Sequence, residues 1–260
     1  MPIKTALVTG GSTGIGLELA KQFAAHGHSV VLAARNTDML EAAAGKIEGK
    51  YGVSVKTISI DLSDSDSPQR LHDTISGDNV GIDYLVNNAG FGLGGEFADT
   101  DIERELDMIQ VNVASVVHLT KLFLPPMLKR KQGRIMNVAS TASFYPGPTS
   151  SIYYATKAFV LSFSEAIHEE LRKTGVTVTA LCPGPTHTNF AERAGTRKSR
   201  LFRQGLVASS EDVARFGYAA MMKGQRVAVP GIGNKLLIQA ERLAPRIIVT
   251  KAVRLIQDNR

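Results

Sequence analysis

Cysteine is nearly absent from this 260-residue sequence, which contains only Cys182. A single cysteine excludes an internal disulfide framework and any site in which several cysteines hold a metal or an iron–sulfur cluster. The six histidines also lack the spacings typical of metal ligands. We therefore expect no metal site, and the scarcity of cysteine favours a reducing compartment.

Long apolar runs are missing as well. No stretch reaches the roughly 18 to 20 apolar residues that a membrane-spanning helix needs. The first residues lead directly into an apolar segment and a glycine-rich loop, without the pattern of a secretory signal. There is also no internal repeat. These absences predict a cytoplasmic protein.

Positive charge is in excess only locally. The net charge is +6 and the isoelectric point is near 9.4. Residues 192–203 hold five basic side chains and one acidic one, and residues 235–260 hold six and two, so the remaining chain is net acidic. A basic segment can contact nucleic acid, but no nucleic-acid-binding motif accompanies it. We expect no nucleic-acid partner.

Short apolar runs alternate with stretches of helical periodicity. This alternation predicts an α/β fold of the Rossmann type, a doubly wound parallel sheet of about seven strands with helices on both faces. The predicted strands are Ala6–Thr9, Ser29–Ala34, Val53–Ile60, Tyr84–Val86, Arg134–Val138, Val176–Leu181 and Val227–Val229. No linker divides the chain, so we expect one domain over residues 1–260 with a core of about residues 4–230.

Residues 235–260 form a basic, amphipathic helical extension that is split by Pro245. Two sets of apolar residues each share a helical face. They are Leu236, Ala240, Leu243 and Ile247, then Val249, Ala252, Val253 and Ile256. Such faces permit packing over the core, contact in an oligomer, or peripheral membrane contact. We favour packing or oligomer contact.

A glycine-rich loop follows the first predicted strand and opens an amphipathic helix. Glycines in this place let the backbone turn sharply and approach a pyrophosphate, which the N–H groups of the helix N-terminus then bind. A glycine-rich turn alone is a weak signal. The candidate nucleotide contacts are Gly10, Ser12, Thr13, Gly14, Ile15 and Gly16.

The end of the second strand indicates which nucleotide is bound. In dinucleotide-binding folds, an acidic residue at this position holds the ribose 2′-hydroxyl of NAD, whereas an arginine accommodates the 2′-phosphate of NADP. Ala34 stands where the acid would be, followed by Arg35 and Asn36. The sequence therefore favours NADP(H), with Arg35 and Asn36 as contacts.

Tyr153 and Lys157 are four residues apart, so in a helix they share one face. A free tyrosine titrates near pH 10, and a nearby lysine cation can lower its pKa by roughly 1 to 3 pH units. Four residues after the competing Tyr154 stands Ala158, which offers no cation. The spacing selects Tyr153, although such a pair taken alone is common on solvated helices.

Taken together, the motifs resemble those of the short-chain dehydrogenase/reductase family in its compact one-domain form. The resemblance spans about residues 4–230, and the motifs follow the family's order and spacing. They comprise Thr9, Gly10, Gly14 and Gly16 in the loop, Asp61-Leu62, Asn87-Asn88-Ala89-Gly90, Asn112, Ser140, Tyr153 with Lys157, and Pro183-Gly184. Each motif is weak alone, and the combination is specific.

The resemblance implies roles at a reacting centre. Tyr153 would give a proton to a carbonyl oxygen, or accept one in oxidation, while hydride passes at carbon 4 of the nicotinamide. Lys157 would hold the nicotinamide ribose and depress the tyrosine pKa. Ser140 would hydrogen-bond the substrate oxygen, and Asn112 would position a water that relays protons to Lys157.

Further nucleotide contacts are implied by the same resemblance. Asp61 and Leu62 would lie beside the adenine, and Asn88, Ala89 and Gly90 beneath the adenosine ribose. Four residues would face the nicotinamide and its phosphates, namely Pro183, Gly184, Thr186 and Thr188. Without the family pattern, all of these would be ordinary turns at strand ends.

The expected substrate is a small apolar carbonyl compound or alcohol. In the family, the segment that matches residues 186–210 folds over substrate, and here it contains Phe190, Leu201, Phe202 and Leu206. Its basic side chains could dock a coenzyme A phosphate or an acyl carrier protein, but solvated charge is the interpretation we favour. We also expect a homo-oligomer, either a dimer or a tetramer.

The leading hypothesis is therefore an NADP(H)-dependent oxidoreductase that acts on a ketone, a steroid-like alcohol or a 3-oxoacyl thioester. The alternative is a catalytically silent NADP(H)-binding sensor or interaction protein. The complete set of Asn112, Ser140, Tyr153 and Lys157 argues against that alternative, because a sensor does not need proton-transfer groups.

Overall fold

A computed structural model describes residues 3–188, 190–195 and 207–257. Seven strands form one parallel sheet in the order β3-β2-β1-β4-β5-β6-β9. Their bounds are β1 Thr5–Thr9, β2 Ser29–Ala34, β3 Val55–Ser59, β4 Tyr84–Asn87, β5 Gly133–Val138, β6 Val176–Leu181 and β9 Val227–Ala228. A separate two-stranded sheet pairs β7 (Thr186–His187) with β8 (Ala208–Ser209). The prediction of a doubly wound parallel sheet of about seven strands is confirmed.

Helices connect the strands and cover both faces of the sheet. They are α1 Gly14–Ala25, α2 Thr37–Tyr51, α3 Ser67–Gly77, α4 Ile102–Ile109, α5 Ser115–Arg130, α6 Ser151–Glu170, the short α7 Phe190–Arg193, α8 Ser210–Met222, α9 Ile232–Leu243 and α10 Arg246–Gln257. A π-helical segment, Gln110–Ala114, joins α4 to α5, and a 3₁₀-helical turn occupies Thr141–Phe144. The expected C-terminal helical extension is present as α9 and α10.

Alternate residues of each strand enter two cores, one on each face of the sheet. Val8 and Leu32 pack with α1, α2 and α8 on one face. Leu7 and Val31 pack with α3, α5 and α6 on the other. Because both faces are covered, the strands are continuous apolar runs in the sequence, which is why six of the seven were predicted to within one residue at each end.

The sequence was misleading at two places. Val53 and Ser54 precede β3, so the predicted strand began two residues early. The strands β7 and β8 have two residues each and were not predicted, because so short a run carries no periodicity.

The long helical segment 102–130 also differs from expectation. The segments α4, the π-helical turn and α5 run on as one 29-residue helix, which by length and composition alone could cross a membrane. No such segment was expected from the sequence. Leu119, Phe123 and Met127 of α5 lie in the core on one face of the sheet, so the helix is apolar because it packs there.

Candidate active site

The candidate site lies where the strand order reverses. Strand β1 is flanked by β2 on one side and β4 on the other, and the connections leave in opposite directions, which opens a crevice at the carboxyl ends of β1 and β4. Thr9 ends β1 and is buried, and its hydroxyl oxygen accepts hydrogen bonds of 3.0 Å from the backbone N–H groups of Asn88 and Ala89. This contact, which the sequence did not reveal, fixes the two loops against each other.

The glycine-rich loop is closely packed against Asn88. Gly10 has a φ of +63°, and Asn88 Nδ2 donates to the carbonyl oxygens of Thr9 and Gly10 at 2.9 and 3.2 Å. A Cβ atom at Gly16 would lie only 2.3 Å from the Gly10 carbonyl oxygen. The two glycines therefore allow the loop to turn and the helix α1 to approach it, as a nucleotide-binding loop requires.

Ser12 ends the turn, Thr13 follows it, and Gly14 and Ile15 begin α1. Thr13 is the N-cap residue, and its side chain makes no capping hydrogen bond. The first N–H groups of the helix are thus not satisfied by a side chain, and the helix dipole favours an anion there. Thr188 lies opposite, with its methyl carbon 3.1 Å from the position of a Cβ at Gly14. The glycine-rich loop and Thr188 thus lie together at the place where the sequence predicts a pyrophosphate.

At the other end of the crevice, Arg35 follows β2 and is exposed. Its guanidinium lies 3.7 Å from the Asp61 carboxylate, whose other oxygen accepts from the backbone and side chain of Ser63. Asn36 caps α2, with its side-chain oxygen accepting from Met39 N at 2.8 Å. The structure brings Arg35 and Asp61 together at the position expected for the adenosine half of a nucleotide.

In contrast to the exposed Arg35 and Asp61, Leu62 is buried in a core cluster. Its carbonyl oxygen accepts a hydrogen bond from Ser115 Oγ at 3.0 Å. Ala89 and Gly90 follow Asn88 along the crevice. A Cβ at Gly90 would lie 2.9 Å from Asn112 Oδ1 and 3.4 Å from Lys157 Nζ. The loop after β4 therefore runs from the glycine-rich loop directly to the predicted reacting centre.

Asn112 is fully buried within the π-helical segment. Its side-chain oxygen accepts from Phe91 N, and its amide nitrogen donates to Phe91 O and Thr156 Oγ1 at 2.9 and 3.1 Å. A π-helical turn widens a helix locally and is frequent at functional sites. This turn places Asn112 beside Lys157, as the family resemblance implies.

Tyr153 and Lys157 share one face of α6, as the spacing predicted. Lys157 Nζ is 5.9 Å from the centroid of the Tyr153 ring, and it donates to Val138 O at 2.8 Å. The Ser140 side chain is close enough to the Tyr153 hydroxyl to lower its pKa as a hydrogen-bonding partner. Ser140 Oγ also accepts from Ala142 N at 3.1 Å, at the start of the 3₁₀-helical turn. Ser140, Tyr153 and Lys157 thus lie close together, with Asn112 beside Lys157.

The expected lowering of the tyrosine pKa does not occur among the groups of this chain. Burial raises the pKa of Tyr153 to about 12, and the hydrogen bond with Ser140 offsets only part of this rise. Burial also lowers the pKa of Lys157 to about 8. The prediction considered only the effect of the lysine cation on the tyrosine, whereas both groups are desolvated and the lysine nitrogen donates to a backbone carbonyl.

The competing hydroxyl groups have other partners. Ser143 donates to the carbonyl oxygen of Lys157 at 2.7 Å, which fastens α6 to the 3₁₀-helical turn. The Thr141 side chain offsets part of the rise that burial causes in the pKa of Tyr145. Tyr154 accepts a hydrogen bond from Gln257 of α10. Ser140 and Tyr153 therefore face each other, whereas the neighbouring hydroxyl groups contact other parts of the chain.

The segment after β6 closes the site. Pro183 O accepts from Ser140 Oγ at 3.4 Å, and Thr186 Oγ1 donates to Gly184 O at 2.9 Å. A Cβ at Gly184 would lie 2.7 Å from Asn234 Nδ2 of α9. Asn234 was not predicted to approach the site, because its position depends on how the C-terminal helices pack.

Phe190, predicted only as part of an apolar lid, is close to the reacting centre. Its ring centroid is 5.3 Å from that of Tyr153, and its Cζ is 3.0 Å from the position of a Cβ at Gly92. Leu201, Phe202 and Leu206 of the predicted lid lie within residues 196–206, outside the described ranges, as do its basic residues Arg197, Lys198, Arg200 and Arg203. Of the apolar residues named for the lid, Phe190 is the one within the described ranges.

Cys182 is fully buried next to Pro183, and burial raises its pKa to about 12. A thiol in this state is not a nucleophile. Within the described residues, no group of three or more histidine, cysteine or acidic side chains could hold a metal ion.

Comparison with known proteins shows which family and fold the chain is similar to. A family profile described as short chain dehydrogenase matches residues 4–199. A Bos taurus protein named very-long-chain 3-oxoacyl-CoA reductase is 38% identical over 191 residues, which are 72% of this chain and 61% of that protein. The chain thus spans about three fifths of the length of that relative.

Two solved structures share the fold over nearly the whole chain. A short-chain dehydrogenase from Sphingobium yanoikuyae in complex with NADPH is 29% identical, with a TM-score of 0.83 over 93% of this chain and 94% of that one. A short-chain dehydrogenase/reductase from Burkholderia phymatum in complex with NAD is 25% identical, with a TM-score of 0.83 over 93% of each chain. The structures similar to this chain therefore include one with NADPH bound and one with NAD bound.

Proposed function

Since the chain belongs to the short-chain dehydrogenase/reductase family, we propose that it is an NADP(H)-dependent oxidoreductase that reduces the carbonyl group of an apolar substrate or oxidises the corresponding secondary alcohol. The observation that carries this proposal is the convergence of Ser140, Tyr153, Lys157 and Asn112 at the carboxyl edge of the sheet. NADP(H), when bound, would supply or accept the hydride at carbon 4 of its nicotinamide.

In this proposal, Tyr153 is the proton donor. Its raised pKa of about 12 keeps the phenol protonated at neutral pH, which suits a group that gives a proton to a carbonyl oxygen. Ser140 lies against the same hydroxyl and would hydrogen-bond the substrate oxygen as negative charge develops on it. The pair is therefore suited to protonating a carbonyl oxygen.

Lys157 and Asn112 would support that proton transfer. A lysine with a pKa near 8 exchanges protons readily at neutral pH. Asn112 lies beside it, and we propose that its side chain orients a water leading to Lys157. When the nucleotide is bound, Lys157 would also contact its nicotinamide ribose. The charged lysine would then stabilise negative charge on the Tyr153 oxygen.

The preference for NADP(H) rests on the end of β2. Ala34 offers no carboxylate to a ribose 2′-hydroxyl, and the exposed Arg35 can form charge-assisted hydrogen bonds to a 2′-phosphate. Its weak contact with Asp61, at 3.7 Å, leaves the guanidinium available. The Sphingobium relative with bound NADPH supports the preference for NADP(H). Because the Burkholderia relative contains NAD, this preference needs a direct measurement.

The proposed substrate carries an apolar group next to its carbonyl. Phe190, Tyr153 and Tyr154 present aromatic surface around the reacting hydroxyl, and the Bos taurus relative is named for a 3-oxoacyl-CoA substrate. We therefore place 3-oxoacyl thioesters first among the candidates, before ketones and steroid-like alcohols. A cytoplasmic location and a homo-oligomer remain predictions.

The experiment that tests the nucleotide preference follows the oxidation of NADPH and NADH by the purified protein with a panel of 3-oxoacyl thioesters, ketones and aldehydes. We expect NADPH to be preferred, and Arg35→Ala to raise the KM for NADPH by roughly tenfold while changing that for NADH less than twofold. Arg70→Ala, another exposed arginine that pairs with an aspartate, is the matched control.

Either of two results would contradict the proposal. If the wild type used NADH and NADPH equally, Arg35 would not determine a nucleotide preference. Tight NADPH binding without turnover across the panel would instead favour the catalytically silent sensor.

A further inference from the structure

The helix α9 carries an apolar stripe on its outer side. Ile238, the buried residue of this helix, faces the protein, and Asn234 and Glu241 lie on the same side. At 100° per residue, the opposite side is formed by residues 232, 236 and 243. These are Ile232, Leu236 and Leu243, with 77%, 65% and 89% of their surface exposed. The face that the sequence assigned to packing or oligomer contact therefore lies in solvent in this chain.

The helix α10 has the same arrangement. Val249 and Val253 pack inward against a cluster that contains Tyr153, Tyr154 and Ala142. Thr149 donates to Gln257 at 3.0 Å, which holds the end of the helix to the loop before α6. On the opposite side, Ile248 and Leu255 are exposed. Both helices are thus held by their inner faces and present apolar side chains outward.

Positive charge accompanies these two stripes. Over residues 232–257 the basic side chains are Lys235, Arg242, Arg246, Lys251 and Arg254, and the only acidic one is Glu241. One oxygen of Glu241 is buried, and burial raises its pKa. Arg254 also contacts Glu96 of the preceding loop. The exposed basic side chains of α9 and α10 therefore add net positive charge beside the leucine and isoleucine stripes.

A groove continues this surface beside α10. It has a volume of about 490 Å³ and is lined by Pro148, Thr250, Lys251, Arg254 and Leu255. The groove places two cations next to apolar side chains, an arrangement that matches the boundary between the headgroups and the acyl chains of an anionic lipid layer.

The positive charge of this surface also distinguishes between a second copy of the chain and a lipid layer as its binding partner. In a two-fold symmetric contact, the same patch would face itself, so that basic residues of one copy would lie against those of the other. Like charges brought together in this way are unfavourable. A flat anionic surface with an apolar interior satisfies both the charge and the stripes.

We propose that α9 and α10 dock the protein on the surface of an anionic phospholipid bilayer, with Leu236, Leu243 and Leu255 entering the interface and the basic side chains contacting the headgroups. This inference does not depend on the proposed catalytic function. Each leucine that leaves water strengthens binding roughly tenfold, and each basic side chain about fivefold.

The test is sedimentation of the purified full chain with vesicles of phosphatidylcholine and phosphatidylglycerol in equal amounts, compared with vesicles of phosphatidylcholine alone. We expect binding to the anionic vesicles that weakens with salt. Leu236→Ser should weaken it about tenfold, and Arg242→Gln together with Lys251→Gln about twenty-fivefold.

The matched control is Leu106→Ser on α4, because Leu106 is 51% exposed and lies outside the C-terminal helices. It should change vesicle binding less than twofold. Circular dichroism during thermal unfolding shows whether each variant is folded. Because no step measures turnover, a silent enzyme would not affect the result.

Three outcomes would overturn the proposal. The first is that the wild type does not sediment with anionic vesicles, or sediments equally with neutral ones. The second is that Leu106→Ser acts as strongly as Leu236→Ser. The third, measured by light scattering, is a dimer that Leu236→Ser converts to a monomer, which would show that a second copy covers this face.

Discussion

Helix α6 and the two C-terminal helices depart from the usual placement of polar and apolar residues in opposite directions. Helix α6 buries Thr156, Lys157 and Ser164, whereas α9 and α10 leave Leu236 and Leu255 in solvent. Burying a cation and exposing large apolar side chains both cost free energy. Proteins accept such costs mainly at functional sites, so the two regions indicate two kinds of function, chemistry at α6 and contact at the C-terminal helices.

The largest expected effect is a difference in kcat between substitutions of two adjacent tyrosines of α6. Tyr153→Phe removes the hydroxyl that faces Ser140, and we expect kcat to fall about a thousandfold. Tyr154→Phe removes a hydroxyl that contacts Gln257 of α10, and kcat should fall only a few-fold. Initial rates of NADPH oxidation with the best substrate measure both. Similar losses in the two variants would mean that the polar face of α6 is structural.

The buried lysine gives a prediction for stability. The pKa of Lys157 is about 8 in the folded chain and 10.5 as its ordinary value, so between these pH values the unfolded chain binds more protons. The stability that Lys157 contributes therefore rises with pH in this window, by up to about 3 kcal/mol. Lys157→Met lacks this dependence. Below pH 8, the wild type also carries the cost of a buried cation.

Urea unfolding of both proteins at several pH values between 7 and 10.5 measures this difference. The wild type should gain stability relative to Lys157→Met as pH rises, because the effects of all other groups cancel in the comparison. Parallel stability curves would show that Lys157 is not desolvated as the structure indicates.

The smallest expected effect is a difference in hydrogen exchange between substitutions on the two sides of α10. Val253→Ala removes buried methyl groups from the inner face, at a cost of about 1.5 kcal/mol, and amides of α10 should exchange hydrogen about tenfold faster. Leu255→Ala on the outer face should change that exchange less than twofold. If Leu255→Ala were equally disruptive, the stripe would already be packed against something within the chain.

The sequence predicted the sheet well and the surroundings of the reacting centre less well. Strands such as β2 and β6 are buried on both faces, so their apolar runs mark them directly. Tyr153 and Lys157 were found because both lie on one helix. The hydrogen bond from Lys157 to Val138 and the desolvation of both groups depend on contacts between distant segments, so the sequence could not show that burial raises the pKa of Tyr153 in this chain.

Other features of the site could not be predicted for related reasons. The π-helical turn that places Asn112 differs from an α-helix by a single hydrogen-bond step, and its sequence has no separate signature. Asn234 approaches Gly184 only because α9 folds back over the 3₁₀-helical turn. For α9 and α10, periodicity identified the apolar faces but not whether each face points inward or outward.

Transfer of a deuterium label tests the central claim most directly. NADPH carrying deuterium at both hydrogen positions of carbon 4 of the nicotinamide is incubated with the wild type and a 3-oxoacyl thioester or ketone, and the product is analysed by mass spectrometry. The account predicts an alcohol with one deuterium on the former carbonyl carbon from the wild type, and at most trace amounts from Tyr153→Phe. An unlabelled alcohol, or equal labelling by both proteins, would contradict it.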